Sequence, residues 1–156
     1  LKAHSRLREE LRNVGGNGVT SFNRKVLITG QVIDEAAKQA AERIVAGVEN
    51  VRSVHNELQV SGRVSLGTSA SDATITTRVK AAFLDAKDLQ SNTIKVVTEA
   101  GVVYLMGIVS RAEGDRAAQT ASRVSGDTRV VTMFEYATAD EIARIERRPA
   151  QEPAAR

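Results

Sequence analysis

Two stretches decide the fold: KVLITGQVID, Lys25–Asp34, and VVYLMGIVSR, Val102–Arg111. Each is a short apolar run of strand-forming residues broken by a glycine, Gly30 in the first and Gly107 in the second, 77 residues apart. A glycine-interrupted strand that recurs in one chain points to a duplicated unit, and the flanking sequence extends the match in both directions.

Downstream of each strand lies an alanine-rich stretch with helical character, DEAAKQAAERIVAGVENV (Asp34–Val51) and RAEGDRAAQTASRVSGDTRV (Arg111–Val130). Both carry a glycine near the end, Gly47 and Gly126, suited to a left-handed residue that satisfies the last helical carbonyls. Each unit then closes with a β-rich segment, VRSVHNELQV (Val51–Val60) and RVVTMFEYA (Arg129–Ala137), which alternates in part as a half-buried strand does. Upstream in the second copy, DATITTRVKAAFLDA places Ile75, Val79, Ala82, Phe83 and Ala86 on one helical face with Asp72 as the N-cap. The strand TIKVVTEAG (Thr93–Gly101) follows, and Gly101 supplies the positive φ of a hairpin turn. In the first copy Leu7 and Leu11 mark the helix, Gly18–Lys25 the strand and Asn23–Arg24 the turn.

Each copy therefore reads helix, strand, strand, helix, strand. Two short helices and a three-stranded sheet with one apolar face cannot bury that surface separately, and together they form a two-layer sandwich. The helix between the second and third strands makes that pair parallel with a right-handed crossover. Mid-strand Gly30 and Gly107 are read as places where an adjacent helix packs on bare backbone, with close ligand approach as the alternative.

Composition narrows the function. The 156 residues, 42% of them hydrophobic, are enough for one ordinary core or two small ones, and no apolar run approaches the ~20 residues that span a bilayer. With no cysteine, disulfides, thiol catalysis and thiolate metal sites are excluded. The net charge of +3 arises in residues 1–66, ten basic against seven acidic, and the remainder is balanced. His4 and His55 have no neighbours at ligand spacing, so no metal is assigned, and no nucleophile with a histidine partner appears, so no catalytic residue is assigned. Asp85 and Asp88, three apart, read as a solvated helix surface. VGGNGV (Val14–Val19) carries a Gly15-x-x-Gly18 spacing like the backbone clamp of nucleic-acid-binding KH domains, but it leads into a strand, and aromatics are 3% of the chain. It is read as a helix-to-strand connection, and no nucleic-acid partner is expected.

The motifs KVLITGQV, LGTSASDATITTRVKAAFL, SNTIKVVTEAGVVYLMGIVSRAEGDRA and ASRVSGDTRVVTMFEY resemble the BON domain family (bacterial OsmY and nodulation), and in particular its dual-BON outer-membrane lipoproteins of the DolP/YraP type. The resemblance covers nearly everything from Val19 to Tyr136. It implies an α+β fold of two tandem BON domains, each an αββαβ two-layer sandwich with a three-stranded mixed sheet. The expected boundaries are 1–62 for the first domain, 63–71 for a linker, 72–138 for the second domain, and 139–156 for a C-terminal helix and disordered tail. It also implies a non-enzymatic periplasmic protein without cofactors, held at the outer membrane by an acylated cysteine before Leu1. Such a protein binds anionic phospholipid such as phosphatidylglycerol through its second domain and supports outer-membrane integrity, including at division sites.

The resemblance places lipid contact on the first helix of the second domain. On a helical wheel at about 100° per residue with Ile75 at zero, Leu84, Thr77, Ala81 and Thr74 fall at roughly 180–260°. Lys80 and Arg78 flank them at about 140° and 300°. Thr74, Thr77, Arg78, Lys80, Ala81 and Leu84 thus form a candidate docking face, apolar at its centre with cations at its rim. Relatives often carry tryptophan where Thr74 stands, so this chain is expected to insert less deeply or to rely more on charge. The competing expectation is a protein-interaction scaffold of the envelope that binds a protein partner and no lipid.

Overall fold

A computed structural model describes residues 18–61, 69–89, 93–124 and 128–147. His4, Leu7, Leu11, Gly15, Gly126, most of the expected linker and the tail after Arg147 lie outside the described residues. In chain order the elements are β1 (Gly18–Phe22), β2 (Lys25–Thr29), β3 (Gln31–Val32), α1 (Glu35–Ala46), β4 (Ser53–Asn56) and β5 (Gln59–Val60). They continue with α2 (Ser69–Asp85), β6 (Ile94–Glu99), β7 (Val102–Val109), α3 (Arg111–Ser122), β8 (Val130–Tyr136) and α4 (Ala139–Glu146). Two three-stranded sheets result, ordered β1-β2-β4 and β6-β7-β8, with a short β3-β5 ladder.

In the first copy, Asn23 and Arg24 adopt φ of 47° and 67° and turn β1 back on β2, pairing Gly18 with Thr29 through Phe22 with Lys25. β2 and β4 are parallel, as the crossover by α1 requires. The register does not change at Gly30: Ile28 faces Asn56 before it and Gln31 faces Gln59 after it, an offset of 28 residues in both cases. The strand is therefore interrupted without an inserted residue, and Gly30 at φ 130° takes a backbone closed to side-chain-bearing residues. Asp34 caps α1, its Oδ1 accepting from the Ala37 N–H at 2.7 Å. Val26, Ile28 and Val32 pack with Ala41, Val45, Val48 and Leu58.

In the second copy β7 is central, and its parallel register with β8 runs unbroken from Val103↔Val130 to Val109↔Tyr136. Val79 and Phe83 of α2, Val103, Leu105 and Val109 of β7, and Ala117 and Ala121 of α3 share one core. Ser110 caps α3 by accepting from the Glu113 N–H, and Thr138 caps α4 in the same way. The expectation of a sheet with one apolar face needs correction, because Val103–Gly107 are buried at five successive positions and Val26–Thr29 at four. Both faces of each central strand are shielded, which is why these strands read as continuous apolar runs.

The glycines also differ from their sequence reading. At Gly107 a Cβ would lie 2.6 Å from the Thr93 carbonyl oxygen and 3.5 Å from the Ile94 Cα, so bare backbone is needed against the neighbouring strand and not against a helix. The helix-to-sheet approach uses Gly114 of α3, where a Cβ would stand 3.0 Å from Tyr136 Cε1 and 3.2 Å from Phe134 Cδ2. Gly47 does follow α1 and donates its N–H to the Arg43 carbonyl, but at φ −78° it is right-handed, and the left-handed residue is Asn50 at φ 70°. Asp72 is not the N-cap of α2, which begins three residues earlier at Ser69. By contacts the chain divides into two compact units, residues 1–74 with 97–101 and residues 75–96 with 102–156.

Replacing Gly107 by alanine forces backbone apart in β6–β7 and is expected to cost about 1–3 kcal/mol. Urea unfolding followed by circular dichroism will show this as a lower midpoint with an unchanged slope.

Candidate functional site

α2 has two chemically distinct sides. Ile75, Val79 and Phe83 recur at helical spacing and face the core, the last two at 0% and 1% exposure. Once that side is buried, the opposite side is committed to the surface, and Thr74, Thr77, Arg78, Lys80, Ala81 and Leu84 are all exposed. Leu84 is 74% exposed, more than any other large hydrophobic among the described residues. The six residues read from the sequence thus lie exposed on one helix, with the solvent-facing leucine at its C-terminal end.

A further cation joins them. Lys87 is exposed in the turn beyond Asp85, three positions after Leu84. The helical wheel omitted it because it lies past the apolar stripe, although its spacing from Leu84 was available as a signal. Two carboxylates lie nearby. Asp85 ends α2, whereas Asp88 sits beyond the helix and pairs with Arg116 at 3.2 Å, so its charge is already opposed.

The N-terminal turn of α2 is fastened differently. Asp72 is 6% exposed, and its two carboxylate oxygens accept from the N–H groups of Ala100 and Gly101, each at 2.9 Å. These two residues form the β6–β7 turn with φ of 49° and 79°. Left-handed backbone costs a residue such as Ala100 about 1–2 kcal/mol, a strain that a buried, charge-assisted pair of hydrogen bonds offsets. Nothing in the local pattern around Asp72 announces a partner 28 residues away. At the far edge of the same sheet Arg111 lies 4.5 Å over the Tyr136 ring, and Tyr136 meets Phe134 edge to face. Among the described residues no helix is long and apolar enough to cross a membrane, and no three acidic or histidine side chains converge as a metal site would need.

A helix, a hairpin, a crossover helix and a parallel third strand, with the hairpin, crossover helix and third strand also present earlier in the chain, define a tandem α+β fold. The BON domain pattern matches residues 3–62 and 71–138, and the chain belongs to the BON domain family. It is 33% identical over 136 residues to the 21 kDa hemolysin of Actinobacillus pleuropneumoniae, covering 87% of this chain and 68% of that one. It is 35% identical over 128 residues to the outer membrane lipoprotein DolP of Haemophilus influenzae, covering 81% and 66%. Osmotically-inducible protein Y of Escherichia coli is 35% identical over 111 residues, covering 69% and 55%. The chain thus spans about two thirds or less of the length of these relatives. Among solved structures, CdsD, a structural protein of the type III secretion system of Chlamydia trachomatis, covers 96% of this chain and 100% of its own at 10% identity and a TM-score of 0.35, too distant to carry an argument.

Glu99, immediately before the β6–β7 turn, has its pKa raised above the ordinary 4.5, first by burial and then by the negative charge of Asp72. The folded chain therefore holds this proton more tightly than the unfolded chain does. The stability this supplies is complete below the ordinary value and is lost as pH rises through the folded value. Glu99→Gln removes the loss. Denaturation midpoints measured across pH are expected to coincide for wild type and Glu99→Gln in acid, with the variant gaining as pH climbs above 4.5.

Proposed function

We propose that this chain is a non-enzymatic protein of the bacterial envelope that docks on anionic phospholipid through the outer face of α2. The observation that carries the reading is Leu84, 74% exposed near the C-terminal end of a helix that also presents Arg78 and Lys80 to solvent. An exposed leucine on a helix that also presents cations suits a surface whose headgroups are negative and whose interior is apolar. The cations meet phosphates, while Leu84, Ala81 and the threonine methyls approach the acyl boundary. Lys87 extends the basic rim. Similarity to a protein named as an outer membrane lipoprotein supports the outer membrane as the location and an N-terminal lipid anchor as the attachment. On this reading the protein faces the periplasm and helps maintain that membrane. Phosphatidylglycerol is the natural test lipid, because the face offers exposed cations to an anionic headgroup.

Co-sedimentation with phosphatidylglycerol-containing and with purely zwitterionic vesicles tests this directly. The wild type is expected to bind the anionic vesicles selectively. Leu84→Glu, which loses apolar contact and adds repulsion, is expected to bind them about tenfold more weakly or worse. Full binding by Leu84→Glu would sink the site assignment. Indifference of the wild type to both vesicles would transfer the function to a protein-interaction scaffold.

A further inference from the structure

We propose that the outer edge of β8 is a self-association surface: a second copy of this chain adds its own β8 there in antiparallel register, joining two three-stranded sheets into one. The inference stands on the fold of the second domain alone. It does not need the docking role assigned to α2.

β8 is an edge strand, last in the order β6-β7-β8, and its bonds to β7 show which backbone groups it leaves open. At one end Val103 donates its N–H to the Arg129 carbonyl at 2.9 Å, and at the other Ala137 donates to the Val109 carbonyl at 3.0 Å. The register between these ends is unbroken. Successive strand residues turn their N–H and C=O to opposite sides, so Arg129, Val131, Met133, Glu135 and Ala137 face β7. Val130, Thr132, Phe134 and Tyr136 therefore turn both groups outward, where the sheet ends and no strand meets them among the described residues. Thr132 in mid-strand is exposed and Tyr136 is 43% exposed, so solvent reaches this edge.

An open edge invites pairing, and proteins blunt it with lysine, proline, a bulge or a short strand. The other edges of the two three-stranded sheets are blunted in this way: β1 and β4 are five and four residues long, and β6 carries the exposed Lys95. β8 runs for seven residues, VVTMFEY, without lysine, proline or bulge. Its sequence is also self-complementary. Antiparallel pairing about a two-fold axis at Met133 sets Val130 opposite Tyr136 and Thr132 opposite Phe134, so all four open residues of each copy find partners. Branched or hydroxyl side chains then meet aromatic ones across the seam, and branched–aromatic contact is a favourable cross-strand pair. Glu135, the one charged side chain of the strand, falls opposite Val131 and not opposite its own counterpart. Moving the axis to Thr132 or Phe134 leaves an open residue at one end unmatched within the strand. The two-fold axis stands perpendicular to the joined sheet, so α2 and α3, which share one core against β7, lie on the same side in both copies. On the docking reading, both Leu84 side chains then address one membrane.

The test is sedimentation velocity of the full chain, without lipid, from about 1 to 500 μM, with amide hydrogen exchange at both ends of that range. The wild type is expected to move from the mass of one chain toward that of two. On association the Thr132 and Phe134 amides are expected to gain at least about tenfold protection, while those of Val131 and Met133, already bonded to β7, stay unchanged. Thr132→Pro removes one open donor and spares the β7 ladder, because proline is tolerated where an edge N–H faces solvent. With its fold confirmed by circular dichroism, it is expected to associate at least about tenfold more weakly. Thr132→Lys supplies the lysine that this edge lacks, is expected to do the same, and carries the test should the proline variant not fold. Association that persists unchanged in either folded variant overturns the inference, as does association that leaves the Thr132 and Phe134 amides unprotected. A wild type that stays at the mass of one chain overturns it too, and leaves the edge to an extended segment of another protein. None of these outcomes reads vesicle binding, so the docking reading stands or falls separately.

Discussion

Parallel pairing of β7 with β8 is the constraint from which the rest of the second domain follows. Parallel neighbours cannot be joined by a tight turn, so the chain between Val109 and Val130 must climb back across the sheet, and α3 is that return path. A return helix this short has to lie close to the strands it joins. Gly114 permits the approach by leaving room for Phe134 and Tyr136 of β8. With one edge of β7 taken by β8, the other is taken by β6 through the two-residue turn, and α2 covers the apolar surface that α3 leaves. The first copy repeats the solution, with β2 parallel to β4 and α1 as the crossover.

What was legible in the sequence was local. Strands, helices and both hairpin turns follow from spacing and turn chemistry within ten or so residues, and the parallel pairing follows from the crossover between the strands. What was not legible depends on which distant atom lies opposite. Gly107 signals that something approaches, but the wheel and the strand pattern cannot say that it is the Thr93 carbonyl and not a helix. Gly114, inside a helical stretch, looks like a weak helix former until the β8 aromatics are set against it. Gly47 looked left-handed because glycine usually ends helices that way, yet the reversal is taken by Asn50, a residue type that tolerates the left-handed region.

The candidate site divides along the same line. Its exposed face could be read once the inner stripe was identified, because a helix that buries Ile75, Val79 and Phe83 has only one side left for Leu84. Asp72 was read as a cap because an acid before an apolar helical run usually is one. Its partners are 28 and 29 residues away, across a turn whose geometry the sequence indicates only through Gly101. Electrostatic context was equally distant: Asp88 would temper the basic rim of the face, but its charge is opposed by Arg116 from the crossover helix.

The strength of such a face follows from its parts. Three cations near an anionic surface contribute about 1 kcal/mol each, and full insertion of a leucine about 1.5–3 kcal/mol. The total, about 4.5–6 kcal/mol, corresponds to a dissociation constant of roughly 500 down to 40 micromolar. Contact of that strength holds a free protein only at lipid concentrations near or above the dissociation constant, but it orients one that is already at the membrane. A tether raises the local concentration of the face to the millimolar range, at which the same contact is occupied much of the time. Under that arrangement what matters is which side of α2 meets the membrane, and burial of Val79 and Phe83 in the core fixes that side. The buried inner stripe and the exposed Leu84 are then two halves of one device, the first fixing the side on which the second is offered.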